Sequence, residues 1–303
     1  MELPNKTSLT LNATKNKLDN QQKSNKHDQK SNSQRKEPRE WCLNDFEMGI
    51  PLGEGRFGRV YMAKEKTSKK IVAIKILSKQ EVKENEMVNQ LKYEVEIQSH
   101  LRHGNILRLY GYFRDKHYVY LVLEYAEKGE LYMLLQRDSP FTEHKAASYI
   151  FQMADALLYL HNKKVIHRDL KLENILLSNN DKIKISDFGL AIHAPDTSQM
   201  KRRTLCGTPD YMAPEMFIDT GYDQRIDLWA LGVLCYELLV GEPPFMVENF
   251  NELRQRIATV DYKIPDQISL EAKVLISSLL QSDPEKRLPL DHVTTHPWIL
   301  KNK

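Results

Sequence analysis

The chain has 303 residues, 41% of them hydrophobic and 28% charged, enough for one large domain or two packed lobes with sizeable cores. Its three cysteines, Cys42, Cys206 and Cys235, are odd in number, far apart and in no C-x-x-C spacing, which supports neither a disulfide framework nor a zinc site and makes a reducing compartment the default. The net charge of +3 is uneven: residues 1–40 hold seven Lys and two Arg against five Asp or Glu, which leaves −1 on the remainder.

That first segment, 1–40, contains no Phe, Tyr or Trp and is rich in Asn, Gln, Ser and Lys. It lacks the apolar surface needed to offset its ordering entropy, so it is expected to be a disordered basic tail carrying regulatory signals. Contact with microtubules or nucleic acid is the alternative use its charge allows. The N-terminus has no apolar secretory core, and the longest apolar run, Leu228 to Val240, is broken by Glu237 and too short to span a bilayer. No membrane is expected, and cytoplasm or nucleus is the expected location.

Order is expected from Trp41. "FEMGIPLGEGRFGRVYMAKEK" and "KKIVAIKIL" alternate β-branched and aromatic residues between turn-like breaks, which predicts an antiparallel meander. In "NEMVNQLKYEVEIQSHL" the apolar positions Met87, Leu91, Val95 and Leu101 take up helical spacing. Strands return at "ILRLYGYF" and "HYVYLVLEYA". Beyond Gly129 the pattern is mainly helical, including "AASYIFQMADALLYLH" and the nearly all-apolar "DLWALGVLCYELLVG", which predicts a buried helix. The fold class is therefore α+β: a small antiparallel β-lobe with one helix over 41–125 and a larger helical lobe over 126–300, joined near Glu124 to Gly129.

Chemistry first appears in "LGEGRFGRV". Gly53, Gly55 and Gly58 let backbone approach a ligand closely and turn N–H groups toward phosphate oxygens. A dinucleotide-binding loop of the same spacing runs into a helix, whereas "RVYMAK" continues as strand, and no Gly-Lys-Ser/Thr follows to make a Walker A loop. A plain glycine-rich hairpin is the competing reading until "VAIK" places Lys75 on the next strand. Glu94 then follows 19 residues later on the helix face of Leu91 and Gln98. These two can pair across the lobe and leave the ammonium to hold α- and β-phosphates. "HRDLKLEN" adds Asp169 and Asn174, and "DFG" adds Asp187, completing the constellation that protein kinases use.

The set resembles the protein kinases, with residues 46–299 as the kinase domain. That resemblance implies ATP and Mg²⁺ as cofactors, with the hard oxygen donors of Asn174 and Asp187 as metal ligands. It implies Asp169 as the residue that orients the substrate hydroxyl and accepts its proton, and Lys171 as the cation on the γ-phosphate. Lys171 at that place resembles serine/threonine rather than tyrosine kinases. The nucleotide site would be lined by Leu52, Gly53, Gly55, Gly58, Val60, Ala73, Lys75, Glu94, Glu124, Ala126, Asn174 and Asp187. His167 would pack beneath Phe188, Arg168 would await a phosphate, Glu215 and Arg287 would form a buried ion pair, and Asp227 would hold the catalytic loop from below.

"EVEIQSHLRHGNILRLYGYF", "LEYAEKGELY", "VIHRD", "RRTLCGT" and "LWALGVLCYELLVGEPPF" narrow the resemblance to the Aurora family of mitotic serine/threonine kinases over about residues 41–300. The polar Gln98, where most kinases place an apolar residue against the Phe of DFG, implies a helix whose active position depends on a partner. Several positions depart from the family: Leu190 follows DFG, Pro209 and Ala213 stand in "CGTPDYMAPE", and Gly104 and Leu172 replace prolines. Other serine/threonine groups, polo-like or basophilic, are the alternative, together with a pseudokinase scaffold, against which the intact Lys75, Glu94, Asp169, Asn174 and Asp187 argue.

The resemblance also carries substrate and partner expectations. Glu130 and Glu173 would face the residues preceding the acceptor hydroxyl, where carboxylates pair bidentately with Arg, so protein substrates should present Arg before Ser or Thr. Thr204 sits in "MKRRTLCGT" with Arg202 two residues before it, which predicts activation by phosphorylation there, one molecule acting on another. Thr208 would line the groove and bond Asp169 and Lys171. An activating segment from a spindle-assembly factor or an inner-centromere protein would bind the small lobe. Gly111 resembles the spindle-pole type and Glu130 in "GELY" the centromeric type, with spindle, centrosome or centromere and midzone as the mitotic locations.

Overall fold

The computed structural model describes residues 40–55, 58–138, 140–194, 206–218 and 221–303. The segment read as a basic tail, apart from Glu40, and Thr204 with its basic run lie outside the described residues.

The small lobe is a five-stranded antiparallel sheet in the order β1-β2-β3-β5-β4. Its strands are β1 (Phe46–Gly55), β2 (Gly58–Glu65), β3 (Ile71–Ser78), β4 (Leu109–Arg114) and β5 (Tyr118–Glu124). The period of two in β3 separates its faces: Val72 and Ile74 join Phe46, Phe113 and Tyr120 in one cluster, while Ala73 and Leu77 join Leu91 and Val95 in another. Lys75, between Ala73 and Leu77, therefore points to the helical side.

Between β3 and β4 lie α1 (Lys79–Glu84) and α2 (Val88–His100). The sequence pattern anticipates α2, whose buried residues Leu91, Glu94, Val95 and Gln98 follow the i, i+3, i+4, i+7 spacing of one helix face. It misses α1, too short to show a period, which starts because the Ser78 hydroxyl accepts from the Glu81 N–H at 3.3 Å. At the sheet's back, the Trp41 ring meets Phe46 edge-on at 5.6 Å between centroids. Gly111 leaves the space: a β-carbon there would sit 3.2 Å from that ring.

The large lobe begins with β6 (Gly129–Glu130), α3 (Leu131–Asp138) and α4 (Glu143–Asn162). The short strands β7 (Val165–Ile166), β8 (Ile175–Leu177), β9 (Ile183–Ile185) and β10 (Ile192–His193) follow, and then α5 (Arg225–Val240), α6 (Phe250–Thr259), α7 (Leu270–Leu279), α8 (Leu290–Thr294) and α9 (Pro297–Asn302). Helix α5 is buried almost all round, as its apolar composition predicts, and ends where Gly241 takes a left-handed φ of 103°. Its Trp229 stacks on Phe245 inside one core that also holds α4 and α7.

Two hydrogen-bonded crossings fix the lobes together. The Leu107 N–H donates to the Ile185 carbonyl at 2.8 Å, and the Ile185 N–H donates to the Asn105 carbonyl at 2.9 Å. Across the hinge, Lys184 on β9 pairs with Glu124 at 2.7 Å. Among the described residues no helix is long and apolar enough to cross a membrane.

Candidate active site

The site lies where β1, β3 and α2 of the small lobe face the loops between β7 and β10. Gly53 and Gly55 sit near the β1–β2 turn, paired with Val60 and Gly58, and a β-carbon added to Gly53 would meet no atom within 4 Å. That open approach is what a phosphate cradle requires. Leu52 is partly exposed, Val60 half-buried, and Ala73 and Ala126 are buried. Glu124 commits its carboxylate to Lys184 and to the Arg108 N–H at 3.2 Å, so what it offers a bound nucleotide is backbone.

Lys75 meets Glu94 with Nζ to Oε1 at 3.0 Å. Burial opposes the charge on Lys75, but the carboxylates of Glu94 and Asp187 more than offset it and raise the pKa above the usual lysine value. Asp187 stands in the left-handed region at φ 56°, its Oδ1 accepting from the Gly189 N–H at 3.1 Å. Burial works against its charge as well, yet Lys75, the Gly189 N–H and His167 together hold its carboxyl below the ordinary range. Both groups are thus charged at neutral pH.

The catalytic loop is positioned from underneath. Asp227, at the start of α5 and 1% exposed, accepts from His161 Nε2 at 2.8 Å, the His167 N–H at 3.1 Å and the Arg168 N–H at 3.0 Å. These bonds hold Arg168 at a positive φ of 69°, a conformation costly for a residue with a side chain. His167 lies edge-on to Phe188, ring centroids 5.1 Å apart, and donates from Nε2 to the Ser186 carbonyl at 3.0 Å. The Arg168 guanidinium donates to the Leu190 carbonyl at 2.7 Å and the Tyr222 hydroxyl at 3.0 Å.

So mounted, Asp169 receives three neighbours. Asn174 Nδ2 donates to its Oδ2 at 3.0 Å, the Thr208 hydroxyl donates to its Oδ1 at 3.1 Å, and Lys171 Nζ lies 3.6 Å from Oδ2. Lys171 also donates to Thr208 Oγ1 at 2.8 Å. The amide nitrogen of Asn174 being spent on Asp169, its Oδ1 remains as a donor atom. Together with the charged Asp187 carboxylate it forms a small hard-oxygen set. No group of three or more His, Cys, Asp or Glu among the described residues is disposed to hold a metal. A pair of protein oxygens suits a divalent cation that takes its remaining ligands from phosphate and water, as Mg²⁺ does, so the residues fit both cofactors.

An acidic cluster lies beside this loop. Glu130 is exposed and Glu173 half-buried, with one Glu173 oxygen, Oε2, buried and without a hydrogen-bond partner. Burial, and then the charge of Glu173, raise the Glu130 pKa. The sequence reading misses the cluster's third acid: Glu237 on α5, 3% exposed, accepts from the Tyr211 hydroxyl at 2.6 Å. Burial pushes its carboxyl up to about 7 against the pull of that hydroxyl, with Glu173 and Asp210 adding to the rise. An acid inside an otherwise apolar helix was the available signal, and it read as a mere interruption of the run. Glu215 and Arg287 form a buried bidentate pair at 2.6 and 2.7 Å. Gln98 is also buried, its amide donating to the Leu107 carbonyl at 3.0 Å.

A two-lobed fold with these side chains at the cleft defines a protein kinase, and residues 46–299 match the protein kinase domain. The chain is 54% identical over 264 residues to Aurora kinase A-B of Xenopus laevis, the match covering 87% of this chain and 64% of that protein. It is 53% identical over 266 residues to the Aurora kinase of Schizosaccharomyces pombe, covering 88% and 74%, and 51% identical over 259 residues to Aurora kinase C of Mus musculus, covering 86% and 93%. The chain belongs to the Aurora kinases, a family of serine/threonine protein kinases. It spans a little under two thirds of the length of the Xenopus laevis relatives, at 64%.

Proposed function

We propose that this chain transfers the γ-phosphoryl group of ATP, with Mg²⁺, to Ser or Thr hydroxyls of proteins that carry Arg shortly before the acceptor. The observation that carries the reading is the convergence of Lys171, Asn174 and Thr208 on the carboxylate of Asp169. Bound Mg·ATP supplies the transferable group and the divalent charge that offsets it; the protein supplies position. Lys75, fixed by Glu94, would hold the α- and β-phosphates, and Asn174 and Asp187 would hold the metal. Asp169 orients the acceptor hydroxyl and takes its proton, while Lys171 sets an ammonium beside the developing charge.

Selection for Arg follows from the acidic cluster. A buried carboxylate oxygen without a partner, as on Glu173, is costly until a guanidinium reaches it, and Glu130 and Glu237 add to the negative field. The chain's own "KRRT" presents Arg202 two residues before Thr204, so phosphorylation of one molecule by another at Thr204 is part of the proposal. A phosphate there would add about −1.5 to −2 charges and draw cationic side chains of the segment and of Arg168. Kinship with the Aurora kinases supports a role in mitotic spindle assembly and chromosome segregation, with an activating protein segment on the small lobe and nuclear, cytoplasmic and spindle locations.

Incubating the purified chain with Mg·ATP and a positional peptide array tests this reading. Selection of Arg two residues before Ser or Thr, and phosphate on Thr204 by mass spectrometry, are expected; proline-directed or acidophilic selection would overturn it.

A further inference from the structure

Gly189 is bracketed from the small lobe. Gln90 and Glu94 stand one turn apart on α2, and the Gln90 carboxamide donates to the Gly189 carbonyl across the cleft. A β-carbon on Gly189 would lie 3.0 Å from Asp187 Oδ1, 3.7 Å from Glu94 Oε2 and 3.8 Å from Gln90 Nε2. The next carbonyl, that of Leu190, is held by Arg168 Nε from the catalytic loop. The carbonyls two and three residues after Asp187 are thus gripped from opposite lobes.

The geometry points to Gln90 as a positioning residue for Asp187, an inference that rests on the ATP-dependent reading above. Asp187 occupies a left-handed backbone conformation that a β-substituted residue enters at a cost, so the backbone after it must be held. Its Oδ1 accepts from the Gly189 N–H, and Gln90 holds the Gly189 carbonyl, so the peptide planes on both sides of the Gly189 Cα are anchored and the glycine's own freedom to swing that N–H away from the carboxylate is restricted. Because Gln90 and Glu94 ride on one helix face, a displacement of α2 releases the Gly189 carbonyl and the Lys75 ammonium together. The helix then reports its position to the phosphate side through Glu94 and to the metal side through Gln90.

Gln90→Met keeps length and removes the donor. In the full chain it should lower kcat and raise the KM for ATP, by about five- to tenfold together, and leave the KM for an Arg-containing peptide within twofold. In nucleotide-free protein, amide hydrogen exchange over residues 186–192 should speed up while the α5 core is unchanged. Gln90→Glu is the second variant: it keeps the length and replaces the donor by an acceptor facing the Gly189 carbonyl, so its loss in ATP kinetics should equal or exceed that of Gln90→Met. Where Gln90→Met does not fold, the Gln90→Glu kinetics decide. Unchanged ATP kinetics and exchange in Gln90→Met, or wild-type ATP kinetics in Gln90→Glu, would overturn the inference. If Asp187→Asn were also fully active, the ATP-site reading itself would be at fault; normal Gln90→Met beside inactive Asp187→Asn would sink the role of Gln90 alone.

Discussion

Lys171 and Thr208 are joined by a 2.8 Å hydrogen bond from the ammonium to the hydroxyl, and the same hydroxyl donates onward to Asp169 at 3.1 Å. One threonine thereby ties the segment after Cys206 to both groups that the proposed reaction places at the reacting atoms. Thr208→Val keeps the shape and removes the hydroxyl from two charged partners, so kcat toward a peptide should fall by about 10- to 100-fold, with Thr208→Ser close to wild type. Steady-state kinetics on the two variants checks this.

Asp187 and Lys75 are held charged by one another and by Glu94. Asp187→Asn removes the anionic oxygen proposed to hold the metal and should slow transfer by about two orders of magnitude or more while the melting curve stays cooperative. Lys75→Arg should fail as well, because a planar guanidinium does not replace a compact ammonium between Glu94 and phosphate. Titrating Mg²⁺ separates the two: excess metal should partly restore Asp187→Asn and leave Lys75→Arg unchanged.

Glu237 gives the proposed selection for Arg a pH dependence. Its folded pKa of about 7 lies above the ordinary 4.5, so across that window the folded state keeps a proton that the unfolded chain has released. Stability on its account is therefore highest at low pH and falls as pH rises toward 7. Arg binding runs the other way, since it needs the carboxylate. The kcat/KM for an Arg-containing peptide should rise through about pH 7 and flatten in Glu237→Gln, which should also gain stability relative to wild type as pH rises from 5 to 8. Paired pH profiles and denaturation curves measure both.

Glu215 and Arg287 pair at 2.6 and 2.7 Å with both side chains buried. Glu215→Ala leaves a guanidinium desolvated beside the Trp229 ring, 5.2 Å from its centroid, and should cost about 3–5 kcal/mol of unfolding free energy. Urea denaturation of the isolated chain gives the value; a loss under about 1 kcal/mol would mean that solvent reaches the pair.

Sequence periodicity carried far where elements were long. The alternating run of β3 and the apolar run of α5 each state their structure, because a period of two or an all-round apolar surface leaves few other ways to bury the chain. Helix α1 and strands β6 to β10 were illegible: two to six residues hold no period, α1 depends on a single capping hydroxyl, and β6 and β7 pair with strands further along the chain. The same division applies to the site. Lys75, Glu94, Asp169, Asn174 and Asp187 stand in local motifs whose spacing singled them out, and the structure brings them to one cleft. Glu237 and Gln90 lie in helices whose periodicity speaks only of burial; their meaning comes from Tyr211, Glu173 and Gly189, which the fold carries to them.

The central claim is phosphoryl transfer driven by the cluster around Asp169, and the most direct test is radiolabel transfer from Mg·[γ-³²P]ATP to a peptide with Arg two residues before Ser. Wild type and Asp169→Asn, matched for folding by circular dichroism, are compared. Label on the Ser with wild type and a loss of about two orders of magnitude or more in the variant is the predicted result. A wild-type chain that binds ATP without labelling the peptide, or an Asp169→Asn chain that labels it at the wild-type rate, would contradict the account.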